Sequence, residues 1–413
     1  MGLSIIIAIV AFLVVTLILV ALLLYAKAKL TPSGEVKIDI NDGEKSLTVE
    51  PGSTLLSTLG NNGIFLPSAC GGGGSCGMCK CQVLEGGGDI LPTEVNFFTR
   101  KQQAEKWRLG CQVKVKENLK IKVPEAVLGV KKWECEVVSN HNVATFIKEF
   151  VVKLPEGEHL KFRSGGYIQI DIPKYDEIKF SDFDIEQEYH EDWDHMKMWG
   201  LVTKNPEPTF RAYSMANHPA EGNIIMLNIR IATPPWDRAA GAFMKVNPGI
   251  CSSYIFSRKP GDKVTISGPY GEFFVKDTPN EKMFIGGGAG MAPMRSHIFH
   301  LFKTEKIDTP VTFWYGARSK REIFYEEQFE EIEKEFPNFK FHIALSEPKE
   351  EDNWKGYTGF IHQVIFENYL KNHDAPEDIE YYLCGPPMMT AAMTKMLDGL
   401  GVRVELLTGS TRK

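Results

Sequence analysis

The sequence lacks any excess of positive charge, and it has little cysteine. Lys and Arg total 47 against 53 Asp and Glu, which gives a formal net charge of −6 at pH 7. A protein that holds nucleic acid presents a basic surface, so this composition excludes nucleic acid as a partner. Eight cysteines in 413 residues are too few for a disulfide scaffold. The remaining composition is that of a globular chain, and the length predicts roughly three domains.

Charged residues are absent from Gly2 to Ala26. A helix of this length reaches roughly 37 Å, enough to cross the apolar core of a bilayer. We therefore predict a transmembrane anchor over residues 1–30. Lys27 and Lys29 follow the apolar run directly, and basic residues tend to stay on the cytoplasmic side, so the rest of the chain is expected in the cytoplasm. The anchor contains no carboxylate, so this helix alone is not expected to conduct ions.

Three stretches with different patterns follow the anchor. Residues 33–126 begin and end with alternating apolar and polar residues, which predicts a small β-rich domain. Residues 133–277 contain short strand patterns separated by Gly and Pro, which favours an antiparallel β-barrel. Residues 278–413 alternate strand and helix patterns, which is typical of a doubly wound α/β domain. An acidic insertion with interleaved aromatics, at about 174–195, interrupts the barrel pattern and is either a solvated loop or a docking face for a basic partner.

Four thiols have the arrangement of metal ligands. Cys70, Cys76 and Cys79 lie on one tight loop, and Cys111 follows on a distant segment. Four thiolates can hold an iron–sulfur cluster, and the glycines between the first two cysteines let the backbone wrap closely around it. The pattern resembles the 2Fe-2S ferredoxins of β-grasp fold, although the first spacer is one residue longer than the plant-type C-x4-C-x2-C. Cys81 is interpreted as a buried spare thiol and not as a ligand.

Two short motifs in the barrel region suit a pyrophosphate and a flat ring. Arg211-Ala212-Tyr213-Ser214 combines a guanidinium, an aromatic ring and a hydroxyl. Gly249-Ile250-Cys251-Ser252-Ser253 offers backbone donors where a helix is expected to begin. Together, in this order, they resemble the R-x-Y-S and G-x-x-S elements of the ferredoxin–NADP reductase superfamily. The resemblance implies FAD.

The same resemblance implies roles for individual residues. Arg211 and Ser252 or Ser253 would hold the FAD pyrophosphate. Tyr213 would stack on the isoalloxazine ring, and Ser214 would approach its N5 atom. The other expected FAD contacts lie on the strand at the ring edge and at the start of the helix: Asn228, Arg230, Ile231, Ala232, Thr233, Gly249 and Cys251.

Two glycine-containing turns occur in the α/β region. The first turn, residues 286–293, follows an apolar strand and begins a helix, so its backbone amides can bind a dinucleotide pyrophosphate. It resembles the G-x-G-x-A-P turn of the same superfamily, and Cys384-Gly385-Pro386-Pro387 resembles its C-G-P-P turn, which places a thiol beside the nicotinamide. The resemblance implies a nicotinamide cofactor, with Ser214 and Cys384 as the catalytic residues. The expected contacts are Gly286, Gly287, Gly288, Ala289, Gly290, Met291, Ala292, Pro293, Cys384, Gly385 and Pro386.

The choice between NADH and NADPH stays open in the motifs. A basic run after the second strand of the α/β region suits a 2′-phosphate, and it equally suits a solvated loop: Arg318, Ser319, Lys320 and Arg321. The electron chemistry is more definite. A nicotinamide delivers two electrons as a hydride and a 2Fe-2S cluster accepts one, so a flavin between them is needed to accept two and release them singly.

The order of anchor, ferredoxin, FAD barrel and nucleotide domain resembles the electron-input subunits of sodium-translocating NADH:quinone oxidoreductases. That resemblance implies NADH as substrate and partner subunits in a six-subunit inner-membrane complex. It also implies ubiquinone as final acceptor elsewhere in the complex, and sodium transport through the partners. The alternatives are a membrane-anchored reductase component of an oxygenase and a passive electron-transfer subunit with a vestigial nucleotide domain. Intact glycine turns argue against the second.

Overall fold

The computed structural model describes residues 2–30, 34–402 and 407–409. Its first element is helix α1, Gly2–Leu30. Among the described residues, α1 is the one helix long and apolar enough to cross a membrane, and none of the stretch Ile6–Leu23 is buried in the protein. The sequence Thr31-Pro32-Ser33-Gly34 is typical of a short linker, and most of it lies outside the described residues. The chain divides into two compact units, Met1–Pro67 with Gly72–Gly129, and Ser68–Gly71 with Val130–Lys413.

The soluble part of the first unit is a mixed β-sheet with strand order β2-β1-β5-β3-β4. Strand β1 pairs in parallel with β5, and the other neighbours are antiparallel. Alternate residues of β1 point inward, and Asn41 and Asp42 adopt positive φ angles that turn the chain into β2. The strands are β1 Val36–Ile40, β2 Lys45–Val49, β3 Lys80–Glu85, β4 Trp107–Leu109 and β5 Leu119–Lys122; the helices are α2 Leu55–Asn61, α3 Arg100–Ala104 and α4 Glu125–Leu128.

The second unit begins with the predicted antiparallel β-barrel. Its main sheet has the strand order β11-β8-β15-β6-β7-β12. A bridge between Met215 and Leu227, with Ala216 N donating to Met226 O at 2.7 Å, joins the two edge strands and closes the barrel. The strands are β6 Lys131–Ala144, β7 Ile147–Lys153, β8 Tyr167–Ile172, β9 Tyr175–Lys179, β10 Val202–Asn205, β11 Thr209–Ser214, β12 Ile224–Arg230, β13 Trp236–Asp237, β14 Ala242–Phe243 and β15 Lys263–Tyr270; the helices are α5 His190–His195 and α6 Ile250–Phe256.

The acidic insertion is folded onto this barrel. Strand β9 pairs with β10, and the aromatic side chains between them join the barrel core: Phe180, Phe183, Tyr189 and Trp193. Trp193 Nε1 donates to the carbonyl of Thr145 at 2.8 Å. Carboxylates such as Glu177, Asp182 and Glu188 remain exposed. The aromatics therefore serve packing, and they do not form part of a docking face.

The α/β region is the predicted doubly wound domain. Its parallel sheet has the order β19-β18-β17-β16-β20-β21, so the winding direction reverses between β16 and β20. Successive residues of β16 pack on opposite faces, Phe284 in one apolar cluster and Met283 and Ile285 in another. The strands are β16 Lys282–Gly287, β17 Val311–Ala317, β18 Phe339–Leu345, β19 Tyr357–Thr358, β20 Glu380–Cys384 and β21 Leu407–Gly409; the helices are α7 Met291–Phe299, α8 Glu326–Glu335, α9 Ile361–Asn368 and α10 Pro387–Gly399.

Candidate cofactor sites

Two of the predicted cluster ligands, Cys79 and Cys111, lie together in the first unit. Gly110 N donates to Cys79 O at 2.7 Å, which places the residue before Cys111 beside the end of the cysteine loop. A hydrogen bond to Cys111, together with burial, raises the pKa of Cys79 well above the ordinary thiol value. Buried thiols of this kind become good ligands when a metal supplies the compensating positive charge. Gln112 Nε2 also lies 3.7 Å from Cys111 Sγ, a contact that the spacing of the cysteines did not predict.

The other two predicted ligands lie on the loop before β3. Cys76 belongs to the first unit, and Cys70 lies on Ser68–Gly71, which groups with the second. Gly72 adopts a φ of +90°, which glycine takes without strain, and a Cβ built there would be in ordinary contact with Cys111 Cβ at 4.0 Å, so the loop passes beside that ligand. Within the described residues no three His, Cys, Asp or Glu side chains are gathered closely enough to hold a metal. The thiol donors and the glycine loop nevertheless fit an iron–sulfur cluster chemically.

Cys81 and a buried ion pair lie behind this loop. Burial raises the pKa of Cys81 to about 12. Its partner across the sheet is Arg108, whose Nη2 lies 2.8 Å from Glu94 Oε2, with both side chains almost fully buried. Glu94 also accepts from the backbone N–H of Leu109 at 2.7 Å. No sequence motif predicted this pair, because its residues carry no periodic or spacing signal.

The R-x-Y-S motif occupies the end of β11. Arg211, Tyr213 and Ser214 pair with Ile170, Ile168 and Tyr167 of β8. Arg211 Nη1 donates to the carbonyl of Phe210 at 2.7 Å and to Thr209 Oγ1 at 3.2 Å. The hydroxyl-bearing Ser214 ends the strand. Arg211, Tyr213 and Ser214 are half-buried, and the Tyr213 ring packs against the barrel core. Their contacts with FAD stay a prediction.

The predicted ring-edge strand and the G-x-x-S turn meet each other. Gly249 N donates to Ala232 O at 2.8 Å, and Ala232 N donates to Ser252 Oγ at 3.0 Å. Arg230 is exposed, Ile231 is buried, and Thr233 follows in the exposed connection. Ser253 is fully buried, and its hydroxyl finds no partner in the described parts of the chain. An orphaned hydroxyl next to this turn fits a polar cofactor such as a dinucleotide.

The two glycine turns of the nucleotide domain lie against each other. Gly286 pairs with Cys384 across β16 and β20, where the winding of the sheet reverses. A Cβ on Gly290 would lie 2.0 Å from the carbonyl oxygen of Cys384, so only glycine permits this approach. Helix α7 begins at Met291, with Ala292 and Pro293 buried in its first turn. Doubly wound sheets bind nucleotides at such a reversal, beside a helix N-terminus.

Several contacts between the barrel and the nucleotide domain were not predicted. Arg295 of α7 binds Glu221 with Nη2 to Oε1 at 2.6 Å and donates to the carbonyl of Ala216 at 3.0 Å. Burial raises the pKa of Glu221, but the guanidinium of Arg295 more than offsets this, so the pKa lies below its ordinary value. His297 is fully buried next to Phe273, and burial lowers its pKa to about 3.

Two of the three cationic side chains in the basic run after β17, Arg318 and Arg321, lie close to carboxylates. Arg321 Nη1 lies 2.9 Å from Asp192 Oδ2, on the acidic insertion. Arg318 Nε lies 3.8 Å from Glu347 Oε2, and the backbone N–H of Lys320 donates to Asp352 at 3.3 Å. Ser319 is buried. The run is therefore not a bare positive patch, which disfavours recognition of a 2′-phosphate.

These sites define a class of protein, a nicotinamide-dependent flavin reductase with its own ferredoxin domain. Family models match the chain in three places that agree with this class. Residues 38–116 match the 2Fe-2S iron-sulfur cluster binding domain, residues 195–275 the oxidoreductase FAD-binding domain, and residues 284–395 the oxidoreductase NAD-binding domain.

Whole-chain comparisons narrow the class. The F subunit of the Na(+)-translocating NADH-quinone reductase from Neisseria meningitidis serogroup C is 58% identical over 402 residues, covering 97% of this chain and 98% of the relative. The corresponding F subunit from Haemophilus ducreyi is 58% identical, covering 96% of each chain. The chain belongs to the family of F subunits of the Na(+)-translocating NADH-quinone reductase.

Solved structures agree on the architecture. The Amycolatopsis cytochrome P450 reductase has a TM-score of 0.62 at 21% identity, covering 91% of this chain and 98% of that one, which shows the shared fold. The ferredoxin reductase in carbazole 1,9a-dioxygenase has a TM-score of 0.58 at 25% identity, covering 92% and 98%.

The family and the matched domains confirm the predicted identity of the chain as an oxidoreductase for NADH-driven electron input. They also confirm 2Fe-2S, FAD and NADH as its cofactors, and a place in a multisubunit, membrane-associated complex.

Proposed function

We propose that this chain oxidises NADH within a six-subunit complex of the bacterial inner (cell) membrane and sends the electrons through its partners to ubiquinone, coupled to sodium export. The observation that carries the proposal is 58% identity to the F subunit of the Neisseria enzyme over 97% of the chain. Lys27 and Lys29, directly after α1, support a cytoplasmic position for the domains that follow.

The proposed site residues are those predicted from the motifs. FAD, when bound, supplies two-electron acceptance with single-electron release. Arg211 and Ser252 or Ser253 would bind its pyrophosphate, Tyr213 would cover the ring, and Ser214 would lie at the reacting edge. Support comes from the orphaned Ser253 hydroxyl and from the hydrogen bonds that join Ala232 to the G-x-x-S turn.

The proposed nicotinamide site is formed by the two apposed glycine turns. The backbone amides near Gly288 would bind the pyrophosphate, and Cys384 would lie beside the nicotinamide. The close approach of Gly290 to the carbonyl of Cys384 supports this arrangement. The proposed cluster ligands are Cys70, Cys76, Cys79 and Cys111, supported by the spacing of the thiols and by the contact of the last two.

The proposed domain boundaries follow the predicted ones: 1–30 anchor, 33–126 ferredoxin, 133–277 FAD barrel and 278–413 nucleotide domain. The experiment is to purify the complex from gently solubilised native membranes and to measure NADH-driven quinone reduction with and without sodium. Integral partners and sodium-stimulated turnover are expected. NADH oxidation that reduces artificial acceptors alone, without integral partners or a sodium effect, would instead indicate an anchored reductase serving an oxygenase.

A further inference from the structure

Three polar side chains meet between the barrel and the nucleotide domain. Asn228 of β12 and Glu149 of β7 are directly opposite each other in the antiparallel ladder. Tyr325, the residue before α8, reaches both of them. Its hydroxyl donates to Glu149 Oε2 at 2.5 Å and accepts from Asn228 Nδ2 at 2.8 Å.

The proton positions in this trio follow from the chemistry of the groups. The phenol of Tyr325 is the donor and the carboxylate oxygen of Glu149 is the acceptor, so the phenol proton is directed to Glu149. The phenol oxygen is then left as an acceptor, and it takes a proton from the side-chain NH₂ of Asn228. Burial, followed by the charge of Glu149, raises the pKa of Tyr325 well above its ordinary value, so the phenol keeps its proton. The amide of Asn228 therefore has one orientation, with Nδ2 toward Tyr325.

This orientation leaves the other end of the amide as an acceptor without a partner. Asn228 is 5% exposed, and its Oδ1 has no hydrogen-bond partner within the described residues. The neighbours Leu227 and Ile229 belong to the barrel core. Since side chains alternate along a strand, Asn228 projects on the outer face of the barrel, where Tyr325 contacts it. A buried acceptor left unpaired costs free energy unless a ligand supplies the donor.

We propose that Asn228 Oδ1 accepts a hydrogen bond from the N3–H group of the bound flavin, and that Tyr325 and Glu149 are positioning residues that hold the amide in this orientation. The proposal rests on the proposed role of the strand at residues 228–233 in binding FAD. N3–H is the one ring N–H that an oxidised isoalloxazine offers, and it needs an acceptor. An amide turned the other way would direct its NH₂ group at the flavin N3–H, so that two donors would face each other without an acceptor.

The nucleotide domain supplies the positioning group in this arrangement. Tyr325 has a φ of +63°, in the left-handed region that is unfavourable for a bulky residue. The Arg295 guanidinium lies 5.3 Å from the centre of the Tyr325 ring, and Arg295 itself is bonded to Glu221 of the barrel. The proposed flavin contact of Asn228 therefore depends on how the nucleotide domain packs against the barrel, because Tyr325 belongs to the nucleotide domain.

The test measures FAD dissociation constants of the full detergent-solubilised chain after removal and return of FAD. N228A is expected to weaken FAD binding about tenfold, and Y325F about fivefold. If Tyr325 acts through Asn228, the double variant N228A/Y325F will match N228A alone. E149Q keeps an acceptor for the tyrosine proton and is expected to stay within about twofold of the parent, whereas E149L is expected to behave like Y325F. Y369F is the matched control, because it removes a similar tyrosine hydroxyl bond of 2.7 Å, to Glu281.

A spectroscopic measurement separates hydrogen bonding from general loosening of the site. FAD labelled with ¹⁵N at N3 reports the N3–H proton shift, which is expected to move upfield in N228A and Y325F and to stay unchanged in Y369F. An unchanged N3–H shift in N228A, or additive losses of FAD affinity in the double variant, would overturn the inference. Neither result would contradict the proposal that the chain binds FAD. Failure of the parent chain to bind FAD would instead contradict the proposed function.

Discussion

The cysteine loop, Cys70–Cys79, and the proposed flavin contact at Asn228 are assembled over different distances along the chain. Three of the four proposed cluster ligands fall between Cys70 and Cys79, on one loop. The groups around Asn228 come from β7 and from Tyr325, and Tyr325 is 97 residues from Asn228 and 176 from Glu149. A metal site on one loop can therefore be predicted from the spacing of its residues in the sequence. A contact between two domains can be identified only once the chain is folded. Each of the following predictions perturbs one side of this contrast.

The largest effect is expected in the loop. C79S should reduce the iron content at least about tenfold and abolish the visible cluster absorbance, because a four-thiolate site loses one ligand. NADH should still reduce the flavin, because the proposed flavin and nicotinamide residues lie in the other unit. The matched control is C81S, expected to keep its iron. Equal loss in both variants would show that Cys81 is a ligand.

The next effect concerns the buried pair behind the loop. R108M leaves the Glu94 carboxylate, with 0% side-chain exposure, without its guanidinium. The loss is expected to be about 3–5 kcal/mol in the free energy of unfolding, followed by urea denaturation through cluster absorbance. The double variant E94Q/R108M removes both charges and should recover much of the lost free energy of unfolding. A double variant as unstable as R108M would mean that packing, and not the unpaired charge, sets the cost.

The success of prediction from the sequence follows the same division. The anchor, the three folds and the cofactor types could be predicted, because periodicity and turn residues are local properties. The Glu94–Arg108 pair and the Tyr325 contact could not be, because a lone Glu, Arg or Tyr is ambiguous until the fold pairs it. The insertion shows a third case. Its acidic and aromatic residues suggested a surface feature, but Trp193 is fully buried, because exposed and buried residues alternate along the segment.

A pair that spans two domains should be weaker than one inside a single core. R295M is expected to cost about 2–3 kcal/mol in the free energy of unfolding, less than R108M, because the side chain of Glu221 remains 22% exposed and water can partly solvate it. Thermal and urea unfolding, followed by flavin fluorescence, measure this cost. If R295M lowered the free energy of unfolding as much as R108M, the interface between the barrel and the nucleotide domain would exclude water as completely as the ferredoxin core.

A buried histidine at the same interface between the barrel and the nucleotide domain should make the free energy of unfolding fall at low pH. His297 has a pKa of about 3 in the folded chain, below its ordinary value of 6.5, so it binds a proton in the unfolded chain first. Stability is therefore lost as pH falls below 6.5, by about 1.4 kcal/mol per pH unit down to the folded pKa. Between pH 7.5 and pH 5 the parent chain should lose about 2 kcal/mol more than H297Q. Parallel losses in the two proteins would show that other groups carry the acid sensitivity.

The smallest effect on stability, and the most informative one for specificity, concerns the ion pair that ties the insertion to the nucleotide domain. D192N removes the nearer of two carboxylates beside Arg321 and leaves Glu191 Oε2 at 3.9 Å from Nη1, so it should change the free energy of unfolding by less than about 1 kcal/mol. A guanidinium that has lost its nearer carboxylate is a better partner for a phosphate, so the ratio of NADPH to NADH oxidation, measured as kcat/KM, should rise about threefold. R321M breaks the same pair without leaving a guanidinium, so it should match D192N in stability and show no gain with NADPH. If the ratio rises equally in both variants, the gain comes from loosening the insertion, and Arg321 lies too far from the ribose to select the nucleotide. If it rises in D192N alone, the carboxylate of the insertion is what keeps this basic run from accepting a 2′-phosphate.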